Sequence, residues 1–114
     1  MRNLAACYTV DIAAFCQELC MDWREIATLA ADPLVTIGTH TINHPMLSKL
    51  PEKTVRTEMD LSRTVIEAAL GVRPAHLSYP FGDPGAAGPR EFAIAKELGF
   101  ATAVTCLLYT SRCV

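Results

Sequence analysis

Three short β-rich runs alternate with two segments of helical periodicity, and that alternation confines the chain to a parallel α/β arrangement. Residues 34–39 (LVTIGT) are short and mostly apolar, as in a strand buried on both faces of a parallel sheet. Residues 75–79, closed by Pro80, and residues 100–105 are the second and third runs. Between the first two, residues 51–70 carry Val55, Met59, Ser62, Ile66 and Ala69 on one helical face, joined by Leu70. Pro51 suits the first turn of that helix and Gly71 its C-terminal cap. Residues 89–98 predict a second helix, with Phe92, Ala95 and Leu98 inward and Gly99 at its end. Strand, helix, strand, helix, strand at this spacing means βαβ units. Ligands in such folds collect beyond the C-terminal ends of the strands. Three parallel strands do not close a barrel, which typically takes about 200 residues or more. The 114-residue chain therefore reads as part of a larger domain.

Helical segments precede the first run. Asp11 caps residues 12–20, with Ile12, Phe15 and Leu19 on one face. Asp22 caps residues 23–31, with Trp23, Ile26, Ala27 and Ala30 on the expected buried side, and Glu25 stands at capping-box spacing. Asp32-Pro33 ends that helix, because a residue before proline avoids the helical region. The net charge of -2, with signs interspersed, gives no basic face for nucleic acid. No apolar stretch is long enough to span a bilayer. Cys7, Tyr8, Thr9 and Asp11 interrupt any signal-peptide core, and the true N-terminus is expected upstream, so the compartment stays open. Five cysteines in no C-x-x-C spacing read as buried reduced thiols, with Cys16 and Cys20 one helical turn apart. The alternative is a cysteine pair completing a zinc site with histidines.

Residues 106–114 break the style of what precedes them, holding two of the five cysteines and no charge but Arg112. They back-translate into a transposon mosaic-end adapter joined to its own reverse complement, and are expected to be a non-native tail. The domain reading is thus a helical lead-in over 1–21, a partial domain over 22–105 and that tail over 106–114.

His40-Thr41-Ile42-Asn43-His44 follows the first run directly. Two imidazoles four residues apart at a strand end are placed to share one metal ion, imidazole being the commonest metal ligand among side chains. A catalytic zinc takes three protein ligands and leaves one position open; this segment supplies two. Pro45 keeps His44 out of a helix, and Thr41 stands where a helical H-E-x-x-H motif needs Glu, so the segment is a turn. The bland alternative is a capping ring and a surface ring.

Trp23-Arg24-Glu25-Ile26, Val35 through Leu47 with its H-T-x-x-H-P core, Tyr79-Pro80-Phe81-Gly82 and Glu97 through Val104 together resemble the NodB-type polysaccharide deacetylases, carbohydrate esterase family 4. The likeness covers about residues 22–105. It implies a fragment of a distorted (β/α) barrel and a metal-dependent hydrolase that removes N-acetyl groups from chitin-like or peptidoglycan-like sugars. It implies His40 and His44 as ligands of zinc or a similar divalent ion. The family's third ligand and base are adjacent aspartates in an earlier motif; no Asp-Asp occurs here, and Asp11, Asp22 and Asp32 are isolated. The later motifs with the general-acid histidine are absent, and Ser78 stands where the family has arginine.

Amide hydrolysis needs a nucleophilic water, which a bound metal supplies by lowering the water's pKa to about 7, and a donor for the developing oxyanion. Pro80 has no N–H, so the Phe81 N–H is the expected catalytic donor, and Tyr79 and Phe81 are expected to wall a sugar groove, with packing as the even alternative. His76, inside a strand, reads as structural, Trp23 as core, and Asp83 as a turn residue. The fragment alone is expected to be inactive. The rivals are a non-catalytic carbohydrate-binding or vestigial module of the same fold, and a related hydrolase acting on a non-sugar amide.

Overall fold

Two units, Met1–Thr36 and Ile37–Val114, divide the chain in the computed structural model, which describes residue 5 and residues 7–105. The expected non-native tail lies outside the described residues. In the first unit, α1 (Ile12–Leu19) is capped by Asp11, whose carboxylate accepts from the Ala14 N–H at 3.0 Å. Helix α2 (Trp23–Ala30) begins in a full capping box. The Asp22 side chain accepts from the N–H groups of Arg24 and Glu25, and Glu25 accepts from the Asp22 N–H. Neither helix buries a residue, so the expected buried side of α2 is not formed: Trp23 is 48% exposed. Cys7, Cys16 and Cys20 are free and exposed rather than buried. An apolar stripe is a capacity for burial, realised only where another surface covers it.

The first run is the main departure from expectation. Leu34 is 93% exposed, and only Thr39 pairs, as a single parallel bridge to Leu77. Asp32 explains the start of this: its carboxylate accepts from the Leu34 N–H at 2.8 Å and its carbonyl from the Val35 N–H at 3.0 Å. That Asx turn draws Leu34 and Val35 out of extended pairing.

In the second unit, Thr39 lies beside β1 (His76–Ser78), which pairs in parallel with β2 (Thr102–Val104) in the register His76–Thr102, Leu77–Ala103, Ser78–Val104. A methyl group on Gly38 would meet the His76 carbonyl oxygen at 3.1 Å, so glycine permits this close entry. His76 is satisfied as expected, its Nδ1 standing 2.7 Å from Thr102 Oγ1 across the register. Helices α3 (Glu52–Leu70) and α4 (Pro89–Glu97) complete the unit, with a 3-10 turn at Leu47–Lys49. Leu47, Val55, Met59, Leu77, Tyr79, Ala87, Ile94 and Ala95 form its core. Gly71, at φ 75°, ends α3 in the left-handed cap that its sequence predicts. Helix α4 buries Ala95 and packs Leu98 against the core as expected, but Phe92 departs at 43% exposed, while Glu91 and Ile94 are buried. Among the described residues no helix is long and apolar enough to cross a membrane.

Arg63 is a buried cation inside this unit, 7% exposed. Its guanidinium donates to the carbonyls of Pro74 (3.0 Å) and Leu98 (2.6 Å) and lies 4.4 Å from the centre of the Phe100 ring. Burial, then the nearby Arg73 charge, lowers its pKa from the ordinary guanidinium value. The two carbonyls tie the lead-ins to β1 and β2 to α3. Arg63→Ala is expected to cost about 2 kcal/mol or more, the scale of hydrogen bonds to a charged group, read as a lowered urea midpoint for the full chain.

Candidate functional site

Ser78 decides how His40 is presented. The His40 Nδ1 lies 2.8 Å from the Ser78 carbonyl oxygen. A carbonyl only accepts, so Nδ1 carries the proton and Nε2 keeps its lone pair free. This is the outer hydrogen bond that metal-ligating histidines make. The His44 ring lies 4.7 Å from the His40 ring, centre to centre, and 4.9 Å from the Phe81 ring. His40, His44 and Phe81 thus converge at the C-terminal end of β1, where the topology predicts a site, and both imidazoles are exposed.

The backbone here is strained. Among the described residues four non-glycine residues have positive φ, and three belong to the site: Thr41 (64°), His44 (52°) and Phe81 (63°). A left-handed non-glycine residue costs roughly 1–2 kcal/mol. Thr41 Oγ1 accepts from the His44 N–H at 3.2 Å, closing the turn. Asn43 does not bond its own backbone, as its residue type allows, but reaches Glu58 on α3. Glu58 Oε2 accepts from the N–H groups of Ile42 (3.0 Å) and Asn43 (2.9 Å), and Oε1 accepts from Asn43 Nδ2 at 2.6 Å. Burial pushes the Glu58 carboxyl up, but its bonds to the Asn43 side chain and to the Asn43 and Ile42 N–H groups outweigh that and hold it below the ordinary value. Sequence reading missed Glu58. Its signal was a carboxylate on the apolar stripe of α3, beside Met59 and between Val55 and Ser62.

The Gly82 N–H donates to the Pro80 carbonyl at 2.7 Å, which with the positive φ of Phe81 makes a strained γ-turn. The Phe81 N–H donates to no group among the described residues, as an oxyanion donor requires, and its ring is 53% exposed. Tyr79 corrects the expected groove: it is 3% exposed, packs in the core and tilts against Phe92 at 5.3 Å. Its burial and the nearby Glu91 push its pKa up to about 12. Only Phe81 is left to face a ligand. Asp83 caps its turn as expected, accepting from the Gly85 N–H at 2.7 Å. The loop is fastened to the 3-10 turn by Ser48, whose N–H donates to the Ala86 carbonyl at 2.9 Å and whose hydroxyl donates to Gly85.

No group of three or more His, Cys, Asp or Glu residues suited to a metal forms among the described residues. The donor set among the described residues there is two imidazoles.

A family model described as polysaccharide deacetylase matches residues 5–103. No curated protein sequence gives a significant match. Among solved structures the chain is similar to the deacetylase PplD of Streptococcus pyogenes, determined in complex with acetate. That match has a TM-score of 0.63 and 21% identity over 70% of this chain and 34% of the other. It is also similar to BA3943 of Bacillus anthracis, a CE4 family pseudoenzyme, with a TM-score of 0.62 and 20% identity over 79% of this chain and 30% of that one. A mutant of BA3943 gives the same values. The chain spans about a third of the length of these structures, and at such identities the likeness is one of fold.

Two measurements follow from this geometry. Long-range proton–nitrogen spectra of the full chain, at a pH well above the imidazole range, are expected to show His40 as the Nδ1–H tautomer; a dominant Nε2–H form would contradict the Ser78 bond. The depressed carboxyl of Glu58 contributes stability that is present above the unfolded-state value of about 4.3 and lost as pH falls through its lower folded value. The acid-side slope of unfolding free energy against pH is therefore expected to be shallower in Glu58→Gln than in the native chain.

Proposed function

The chain belongs to the polysaccharide deacetylase family, and on that premise we propose that it carries the two-histidine part of a metal-dependent site that removes N-acetyl groups from acetylated sugars. The observation that carries this reading is the His40–Ser78 bond, which leaves Nε2 free of that contact, with the His44 ring centred 4.7 Å from the His40 ring. The residues present fit two ligands of a divalent ion such as zinc, which accepts imidazole nitrogen. When bound there, such an ion acidifies a water and polarises a carbonyl. The chain's own residues do the rest. His40 and His44 hold position, the Phe81 N–H offers a donor to the developing oxyanion, and the exposed Phe81 ring offers an apolar face to a sugar. No described carboxylate joins the histidines to act as third ligand or base.

A second reading has support of its own. A fold neighbour is a pseudoenzyme, and a histidine pair with no described carboxylate also suits a non-catalytic sugar-binding module.

Zinc titration of the full chain, followed on the imidazole signals, is expected to shift both His40 and His44. Either substitution, His40→Ala or His44→Ala, is expected to weaken binding by about tenfold or more, each ligand being a large part of a two-ligand site. Zinc that moves neither ring sinks the proposal. Acetate release from N-acetylglucosamine oligomers is expected to be undetectable with this chain. Release that disappears in His40→Ala would overturn the expected inactivity and rule out the non-catalytic reading.

A further inference from the structure

Glu58 takes no part in the chemistry above, yet it touches the loop that carries both histidines. We propose that Glu58 is a positioning residue for the histidine pair. Its carboxylate holds residues 41–44 in a strained backbone that sets the two rings side by side before any ion arrives. Its role concerns the same site as the proposed function and rests on that reading for the ion alone.

Three observations carry this. First, Glu58 is 8% exposed on the stripe of α3 that buries Val55 and Met59, where a leucine or methionine would serve packing better. A buried carboxylate is costly unless its oxygens are satisfied. Second, what satisfies them is neither lysine nor arginine but the Ile42 and Asn43 N–H groups and the Asn43 side-chain amide. Two successive N–H groups converging on one oxygen form an anion-binding nest, here occupied by a residue of the same chain. Third, the residues flanking those two donors, Thr41 and His44, are the ones with positive φ. Left alone, that segment relaxes toward negative φ and swings His44 away from His40. The carboxylate opposes the relaxation because only the strained form aims both N–H groups at one point.

The test separates reach from charge. Glu58→Ala removes the acceptor. Glu58→Asp keeps the charge but withdraws it by one methylene. Glu58→Gln keeps an oxygen at full reach, its amino group facing an Asn43 amide that can turn to present oxygen. Zinc titration of each full chain, followed on the imidazole signals, is expected to show affinity reduced about 10–100-fold in Glu58→Ala and Glu58→Asp, the range for outer residues of a metal site. Glu58→Gln is expected to stay within a few fold of native. Native affinity in Glu58→Asp, or a loss in Glu58→Gln equal to that in Glu58→Asp, overturns the proposal; these two variants decide it should Glu58→Ala not fold. Protection of the Ile42 and Asn43 amides from exchange and the proximity of the His44 and Phe81 rings are read without metal. Both are expected to be lost in Glu58→Asp and kept in Glu58→Gln, and their persistence in Glu58→Asp likewise overturns it. Should zinc leave the native histidines unmoved, the ion reading fails, and the metal-free readouts still decide the role of Glu58.

Discussion

The parallel bridge between Thr39 and Leu77 governs what the rest of the site can do. In its ladder the Thr39 N–H donates to the His76 carbonyl, and the Ser78 N–H donates to the Thr39 carbonyl. Continued by one step, a regular ladder would bring the Thr41 N–H to the Ser78 carbonyl. That carbonyl instead accepts from the His40 imidazole, while Thr41 turns to positive φ and leads the chain away. The end of strand pairing and the fixing of the imidazole tautomer are therefore one event. It depends on the main chain of Ser78, so the side chain at that position is free to be small.

Strain at the site is opposed by hydrogen bonds to a charged group. Thr41 and His44 together cost a few kcal/mol at roughly 1–2 each, and Pro45 further restricts His44. Hydrogen bonds to a charged group contribute about 1.5–3 kcal/mol each, and Glu58 makes three. The loop is thus set by an anchor from α3 rather than by its own local preferences. The second loop follows the same logic, with the γ-turn at Phe81 held between β1 and the contacts of Ser48 with residues 85 and 86. Both strained segments end up on elements that the core fixes.

Features set by neighbours in sequence were legible, and those set by neighbours in space were not. The caps at Asp11 and Asp22, helix α3 with its left-handed Gly71, strand β2 and the meeting of His40, His44 and Phe81 at one sheet end follow from local signals and βαβ topology. Residues 34–38 read as a buried strand because an apolar run looks alike whether or not partner strands flank it; here only Thr39 finds one. Phe92, Ala95 and Leu98 share one face by helical spacing, yet Glu91 takes the buried place of Phe92, its carboxylate accepting from the Gly88 N–H and from Arg90. Tyr79 reads equally well as wall or core until β1 is packed on α4. Glu58 was invisible for the same reason: on a helix stripe a carboxylate looks like a surface residue until the loop it serves is known.

In the proposed metal site, aim and affinity would have different sources. Aim comes from the backbone: the Ser78 carbonyl orients one ring and the Glu58 nest holds the loop of the other, and neither contact needs an ion. Affinity would come from ligand number and charge, and two imidazoles alone offer a dication neither a third donor nor a compensating anion. The Glu58 charge is no substitute, because both of its oxygens are turned to loop N–H groups. A carboxylate added at the open side of His40 and His44 would meet ligands already oriented, so its whole charge interaction would go into holding the ion and little into ordering the loop. Preorganisation of this kind would make the proposed histidine pair a receptive partner for an acidic ligand, with the strain carried by the loop residues and their hydrogen bonds.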